Sequence, residues 1–452
     1  MFHDPDLMPF RPRQHPSLGA MLHNYLENFP PASYTEGFST LTGLASIFLP
    51  TVFLTDPELI EDVLVKRADL FIRDQFSSSA MSSILDRRGM FLSEGADWRW
   101  QRRAIAPAFR YENLLALVPI FVQCANVQIE EWRQSCPSSA VDITKAMTRT
   151  TIDVIQHAVL GDPDALEREA FLDALKTGFE GLPWQEVLAF LRLPSFFPHP
   201  GYFKARAAIR ALMAEMGKAI SARRGAPKDS RDILGLLLSA RDPETGRVMN
   251  DAELTSNLYT LIAAGHETTA MALGWTLWLL AKDQASQDRV REEASSVAGA
   301  RDMNGGDVEA LTFTRQVIYE SMRLFPPVTI VGRQARADTT IGSHAVSRKS
   351  QILIAVWSLH RNARLWDDPM GFDPDRFSPE KVKARHPFAY LPFGGGPRIC
   401  IGMNFAMLEM CAILATLVRD FRFKEAPGFH PKLAPNITLR PDVGLSLIVE
   451  PV

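Results

Sequence analysis

Phe393-Gly-Gly-Gly-Pro-Arg-Ile-Cys400-Ile-Gly402 is the stretch on which the reading of this 452-residue chain turns. Glycines let a backbone fold tightly beneath a flat group and turn its N–H groups toward one atom. The apolar residues that follow, from Met403, Phe405 and Leu408 to Met410, Ile413 and Leu414, have the spacing of a buried helix. Cys400 therefore falls just ahead of a helix N-terminus, where the dipole and free N–H groups favour a thiolate. Spacing excludes a phosphate loop: no Gly-x-Gly-x-x-Gly frame closes and no Gly-Lys-Ser/Thr follows. Taken alone, the stretch also fits an inert buried cysteine in a tight turn.

The remainder of the chain narrows the class. Hydrophobic content of 46% is ample for a large core, and 22% charged residues with a net charge of -3 argue against a nucleic-acid binder. Cys124, Cys136, Cys400 and Cys411 form no C-x-x-C pair, so neither a disulfide framework nor a zinc or iron–sulfur site is expected, and a reducing cytoplasm is the natural setting. Met1-Phe-His-Asp-Pro-Asp has no basic n-region and no apolar h-region of a signal peptide. The run Leu41–Leu54 is too short to span a bilayer and is broken by Pro50. Leu258–Ala281 is long enough but carries His266 and Glu267 at its middle, which makes it a buried helix. The expectation is a cytoplasmic monomer with no membrane anchor.

Helical periodicity dominates, over Trp98–Ala106, Leu114–Arg133, Ile143–Leu160, Leu166–Phe179, Phe203–Arg223 and Ile233–Ala240. Ser17 caps a short amphipathic helix through Tyr25, and Ser46–Leu49 with Val52–Leu54 reads as a hairpin around Pro50. Other strand-like pieces are short and late: Thr340–Ile341, Ile352–Val356 and Leu445–Val449. The expected fold is mainly α with a minor β region. It forms a single domain over 1–452, with 1–40 as an N-terminal extension packed on it.

Asn250 or Asp251 opens a helical run reaching Lys282, roughly 48 Å at 1.5 Å per residue. At its centre stands Ala263-Ala264-Gly265-His266-Glu267-Thr268-Thr269. Ala264, Gly265 and Thr268 share a face, slim enough for a flat group to approach, and the Thr268 hydroxyl can bond back to the Ala264 carbonyl. Small residues at helical spacing are also ordinary packing, but Glu267 in so apolar a helix is costly without a partner or a task. His266 points elsewhere and reads as structural. Glu320 and Arg323 are an i, i+3 pair among apolar neighbours that make burial plausible.

Phe393, Gly394, Arg398, Cys400 and Gly402 at these offsets resemble the haem-binding loop of the cytochrome P-450 family, a thiolate-ligated haem class. The resemblance covers nearly the whole chain after residue 40, with four motifs in family order. It implies the cytochrome P-450 fold, with the long central helix over the haem, and haem b (iron protoporphyrin IX) as cofactor, with Cys400 as its proximal iron ligand. Ala264-Gly265-x-Glu267-Thr268 is similar to the family's acid–alcohol segment, which implies proton delivery by Glu267 and Thr268. Trp98-x-x-x-Arg102, Arg333 and Arg398 match positions that hold the propionates. Glu320-x-x-Arg323 matches the family's Glu-x-x-Arg helix. Its partner Arg376 sits in Pro374-Asp375-Arg376-Phe377, where Asp375 replaces the family's usual Glu, and the three residues form a buried charged cluster behind the cysteine loop.

The reaction so implied is a haem–thiolate monooxygenase that activates dioxygen with two electrons and hydroxylates its substrate. Peroxide-using members carry an arginine in place of the acid–alcohol pair, and a haem sensor or carrier has no need of that pair. By family analogy the pocket is lined by Phe76–Phe91, Gly178–Phe203, Leu261–Ala264, Val328–Val331 and Asn436–Leu439. The apolar richness of the second segment suggests a lipophilic small molecule. The same residues also fit the core of two helices and their loop, or peripheral membrane contact by Phe196–Phe197. With no flavin or iron–sulfur domain in the chain, electrons are expected from a separate ferredoxin or flavodoxin with its reductase, docked on a positive surface of Arg99, Arg102, Arg103 and Arg110.

Overall fold

Asn250 opens the long helix with a reciprocal cap. Its side chain accepts the Glu253 N–H at 2.9 Å, and the Glu253 carboxylate accepts the Asn250 N–H at 3.0 Å. The helix runs Asp251–Lys282. Between Ser256 and Ala281 every residue is buried except Leu261, Ala264, Gly265 and Thr268. A helix apolar nearly all round must be enclosed by its neighbours, and this one is.

The computed structural model describes residues 38–40, 50–135, 140–162, 167–190, 193–225, 232–435 and 438–452. Ser17–Tyr25, Ser46–Leu49 and Cys136 lie outside them. The chain divides into two compact units: Met1–Ile72 (as far as described) with Phe121–Thr148 and Thr268–Val452, and Arg73–Ile120 with Arg149–Glu267. The helices Val118–Gln134, Ile143–Ile155 and Asp251–Lys282 each contribute residues to both.

In the first unit a five-stranded sheet runs in the order Phe38–Thr40, Thr51–Leu54, Gln351–Ala355, Ile330–Ala335, Phe71–Ile72. Thr51–Leu54 lies parallel to Gln351–Ala355, with Val52 opposite Ile352, and the other pairs are antiparallel. Of the hairpin expected around Pro50, Val52–Leu54 lies in the strand Thr51–Leu54, which pairs antiparallel with Phe38–Thr40, while Ser46–Leu49 falls outside the described residues. Leu54, Ile60, Leu64, Ile352, Ile354 and Leu391 belong to one buried cluster, which gives the residue just before the cysteine loop a rigid seat. Helices Gln284–Ala298 and Thr312–Leu324 pack on Met403–Asp420, the helix that follows Cys400. A second sheet joins Ala140–Asp142, Ser446–Pro451 and Phe421–Glu425.

In the second unit Leu182–Phe190 packs on Gln75–Met81 and Tyr202–Arg224 on Arg168–Glu180. The continuous helix expected over Leu114–Arg133 is two, Tyr111–Leu115 and Val118–Gln134. Pro119 explains the break, because proline fits the first turn of a helix but not its interior. By length and composition alone Tyr111–Gln134 could cross a membrane. A core helix passes the same test, and Phe121, Ala125 and Ile129 are buried.

Candidate active site

The cysteine loop is held by its own backbone. Gly394 N–H donates to the Leu391 carbonyl at 3.2 Å, Ile399 N–H to Gly396 at 3.0 Å, and Cys400 N–H to Phe393 at 3.0 Å. Gly394 and Gly396 have φ of 70° and 69°, in the left-handed region. At Gly396 the demand is absolute, since a Cβ there would lie 2.0 Å from the Leu64 carbonyl oxygen. Gly402 caps the helix Met403–Asp420, and the Ala406 N–H returns to its carbonyl at 2.8 Å. Of the described cysteines Cys124, Cys400 and Cys411, only Cys400 is exposed. Cys411, within the helix Met403–Asp420, is enclosed, and burial pushes its thiol up to about 12. The loop thus leaves its own cysteine exposed, while the helix that follows encloses the other.

Behind the loop lies the charged cluster. Glu320 and Arg323 are both fully buried and paired through two bonds, Nε to Oε2 at 2.7 Å and Nη2 to Oε1 at 2.8 Å. Arg376 Nε approaches Glu320 Oε1 at 3.3 Å, and the Asp373 N–H donates to the same oxygen at 2.9 Å. Arg323 also donates to the carbonyls of His360, Pro369 and Gly371 at 2.9, 2.6 and 2.8 Å. His360 carries the connection forward, accepting the Leu391 N–H on Nε2 at 2.8 Å. Burial, with the Arg323 and Arg361 charges, holds its pKa well below the usual histidine value, so the ring is neutral and can accept. Sequence reasoning missed His360, because a lone histidine ahead of a loop carries no spacing signal.

On the long helix Glu267 is buried, Ala264 is exposed and Thr268 is half-buried. His266 is structural: Nδ1 lies 2.9 Å from the Ile262 carbonyl, the ring meets Phe171 edge-on at 6.0 Å, and its own carbonyl accepts the Thr151 hydroxyl at 2.9 Å. Gly265 answers to packing as well as to any ligand, since a Cβ there would come 2.8 Å from Ile155 Cδ1. Next to Thr268, Thr269 is buried and faces Glu409, a second acid that sequence reasoning passed over. Apart from that hydroxyl, the Glu409 carboxyl has no hydrogen-bond partner among the described residues, and burial raises its pKa well above the carboxylate range.

The helix Gly95–Ile105 buries Trp100, Gln101, Ala104 and Ile105 and leaves Trp98 and Arg102 half-buried, one turn apart. Arg103 is committed elsewhere: it donates to Asp242 at 2.7 and 2.9 Å and lies 3.1 Å from Glu244. This holds the Asp242 carboxyl far below the usual carboxylate range. Arg103 therefore drops out of the expected positive surface, of which Arg99 and Arg110 remain exposed. Arg333 is buried on the strand Ile330–Ala335, donating to Gly332 at 2.8 Å, and Arg398 is half-buried in the cysteine loop. Among the apolar residues of Gly178–Phe203, Leu182 and Leu188 are core, whereas Trp184, Leu193, Phe196, Phe197 and Phe203 are exposed. The apolar residues of that segment therefore do not all face inward. Asn436 and Ile437 lie outside the described residues.

A family model for cytochrome P450 matches residues 10–448. The chain belongs to the cytochrome P-450 family. Cytochrome P-450 4F4 of Rattus norvegicus is 31% identical over 446 residues, covering 93% of this chain and 84% of that protein. The cytokinin hydroxylase of Arabidopsis thaliana is 31% identical, covering 89% and 80%, and the ultra-long-chain fatty acid omega-hydroxylase of Homo sapiens is 30% identical over the same shares. A crystal structure of a cytochrome P-450 heme domain superposes with a TM-score of 0.84 at 25% identity, covering 98% of this chain and 97% of that one. This P-450 is a monooxygenase with haem as its cofactor. Its residues fit that group: an outward thiol in a glycine-shaped loop, arginines suited to carboxylates, and a long helix kept slim and open at Ala264.

Proposed function

We propose that this cytochrome P-450 hydroxylates a lipophilic small molecule with electrons from a separate ferredoxin or flavodoxin and its reductase. One observation carries the reading: Leu261, Ala264 and Thr268 open an otherwise buried helix face, two apolar groups followed by a hydroxyl, with buried Glu267 beside them. Haem b, when bound, supplies an iron centre at which dioxygen is activated and one oxygen atom is inserted into a C–H bond. Cys400 provides the thiolate ligand, Phe393 shields its sulfur, and Gly394 and Gly402 keep the loop tight. Arg102, Arg333 and Arg398, with the Trp98 indole N–H, hold the propionates. Ala264 and Gly265 keep the helix slim, which would leave room for a flat ring. Glu267 takes a proton from solvent, and the Thr268 hydroxyl holds it in line for delivery. Glu320, Arg323 and Arg376 keep the cysteine loop in register through His360.

The apolar pair Leu261 and Ala264 favours a substrate with little to hydrogen-bond, and relatives named as a fatty acid hydroxylase and a cytokinin hydroxylase support hydroxylation of a small molecule. Exposed Arg99 and Arg110 support docking of an acidic electron donor. Spectral titration against fatty acids, terpenoids and steroids tests the substrate class, and shifts elicited only by polar compounds would remove it. Thr268→Ala should retain haem and the substrate-induced shift, yet cut product per electron pair by about tenfold or more as hydrogen peroxide escapes. Unchanged coupling would remove the proton role.

A further inference from the structure

The helix carrying Trp98 and Arg102 is fastened to the long helix by a polar hub that no motif announces. Asn257 lies on the face of the long helix that continues, at offsets of four, seven and eleven residues, through Leu261, Ala264 and Thr268. It is 2% exposed, as is Gln101. Asn257 Nδ2 donates to Gln101 Oε1 at 2.7 Å and to the Glu253 carbonyl at 2.9 Å, while Oδ1 accepts the Met90 N–H at 2.8 Å. Gln101 Nε2 donates to the Arg88 carbonyl at 3.0 Å. Two side-chain amides thus bind one loop, 88–90, and one helix, Gly95–Ile105, to a single point of the long helix. The approach is close, since a Cβ on Gly89 would lie 2.7 Å from Ser256 Oγ.

Both amides are nearly saturated in a dry setting, where a hydrogen bond is strong and an orphaned group is costly. Gln101 immediately precedes Arg102 and lies on the buried side of the helix, about 100° round from it. Any rotation or slip of that helix moves the Trp98 indole and the Arg102 guanidinium together. We propose that Asn257 and Gln101 are positioning residues, which fix the propionate-binding pair Trp98 and Arg102 against the long helix. The inference rests on the haem reading of Arg102.

The test uses the haem-loaded protein and compares Gln101→Leu, Asn257→Leu, Arg102→Leu and the double variant Gln101→Leu/Arg102→Leu. Gln101→Met, which keeps the unbranched length and removes only the amide, serves where the leucine variants do not fold. The readouts are the rate of haem transfer to excess apomyoglobin, the haem reduction potential, and amide exchange at Met90. The expectation is tenfold or faster haem loss in Gln101→Leu and a potential shifted in the same direction as in Arg102→Leu. The double variant should add less than the sum, and Asn257→Leu should lose protection at Met90. Lowered melting temperature with haem loss within twofold of the parent and an unmoved potential would overturn the inference, leaving an ordinary core contact. If the parent protein itself retains no haem, the haem reading fails first and takes this inference with it.

Discussion

Cys400 and Cys411 are chemically identical side chains given opposite characters by their surroundings. One is exposed at the end of a glycine-rich loop; the other is enclosed in a helix, with its thiol pushed up to about 12. Glu409 shows the same logic for an acid. Its folded pKa is raised by burial, so its contribution to stability is fully present below the unfolded value and is lost as pH rises toward the folded one. The loss is about 1.4 kcal/mol per pH unit across that window. Glu409→Gln, which removes the titration, should gain stability relative to the parent as pH rises above the ordinary carboxylate range in thermal melts, and a difference constant with pH would contradict a neutral, buried Glu409. At this scale the sequence marks residues that belong to spaced motifs, such as Cys400, Glu267 and Thr268. It is silent on His360 and Glu409, whose importance comes from burial and from partners distant in the chain.

Elements hold these residues through a few over-determined joints. Arg323 anchors one of them, bonded to Glu320 and to three carbonyls of the segment 360–371. Breaking a buried pair from one side leaves an uncompensated charge, so Arg323→Leu should cost roughly 3–5 kcal/mol by denaturant unfolding. A loss below about 1 kcal/mol would mean that Arg323 is not a tightly bonded anchor of this cluster. Gly396 is a second joint. Gly396→Ala forces a left-handed conformation on alanine, at about 1–3 kcal/mol, and drives a methyl into the Leu64 carbonyl. The variant should fold less stably and bind haem poorly, and normal haem content with an unchanged melting temperature would contradict that reading. The Glu320–Arg323 spacing was legible because a helix enforces it. The carbonyls that complete the cluster were not, since they come from irregular chain without periodicity.

At the scale of the whole molecule, several helices among the described residues were readable to within a residue or two at each end, because buried faces impose their period on the sequence; Asp251–Lys282 and Ile233–Ser239 are examples, whereas Leu114–Arg133 is split by Pro119. Sheet pairing was not. Nothing local tells Val52 that Ile352 is its neighbour, 300 residues on. The electron-donor surface was legible only in part, because net charge along a helix does not reveal which arginines are already paired. Arg110→Glu should weaken the salt dependence of reduction by the donor, whereas Arg103→Glu should instead unseat the Asp242 turn and lower stability. Equal effects of the two on reduction would contradict this division. The central claim, a haem held by the Cys400 thiolate, is tested most directly by the absorption spectrum of the reduced protein under carbon monoxide. The account predicts the strongly red-shifted Soret band of thiolate ligation, absent in Cys400→Ser; a histidine-type band, or the same band in Cys400→Ser, would contradict it.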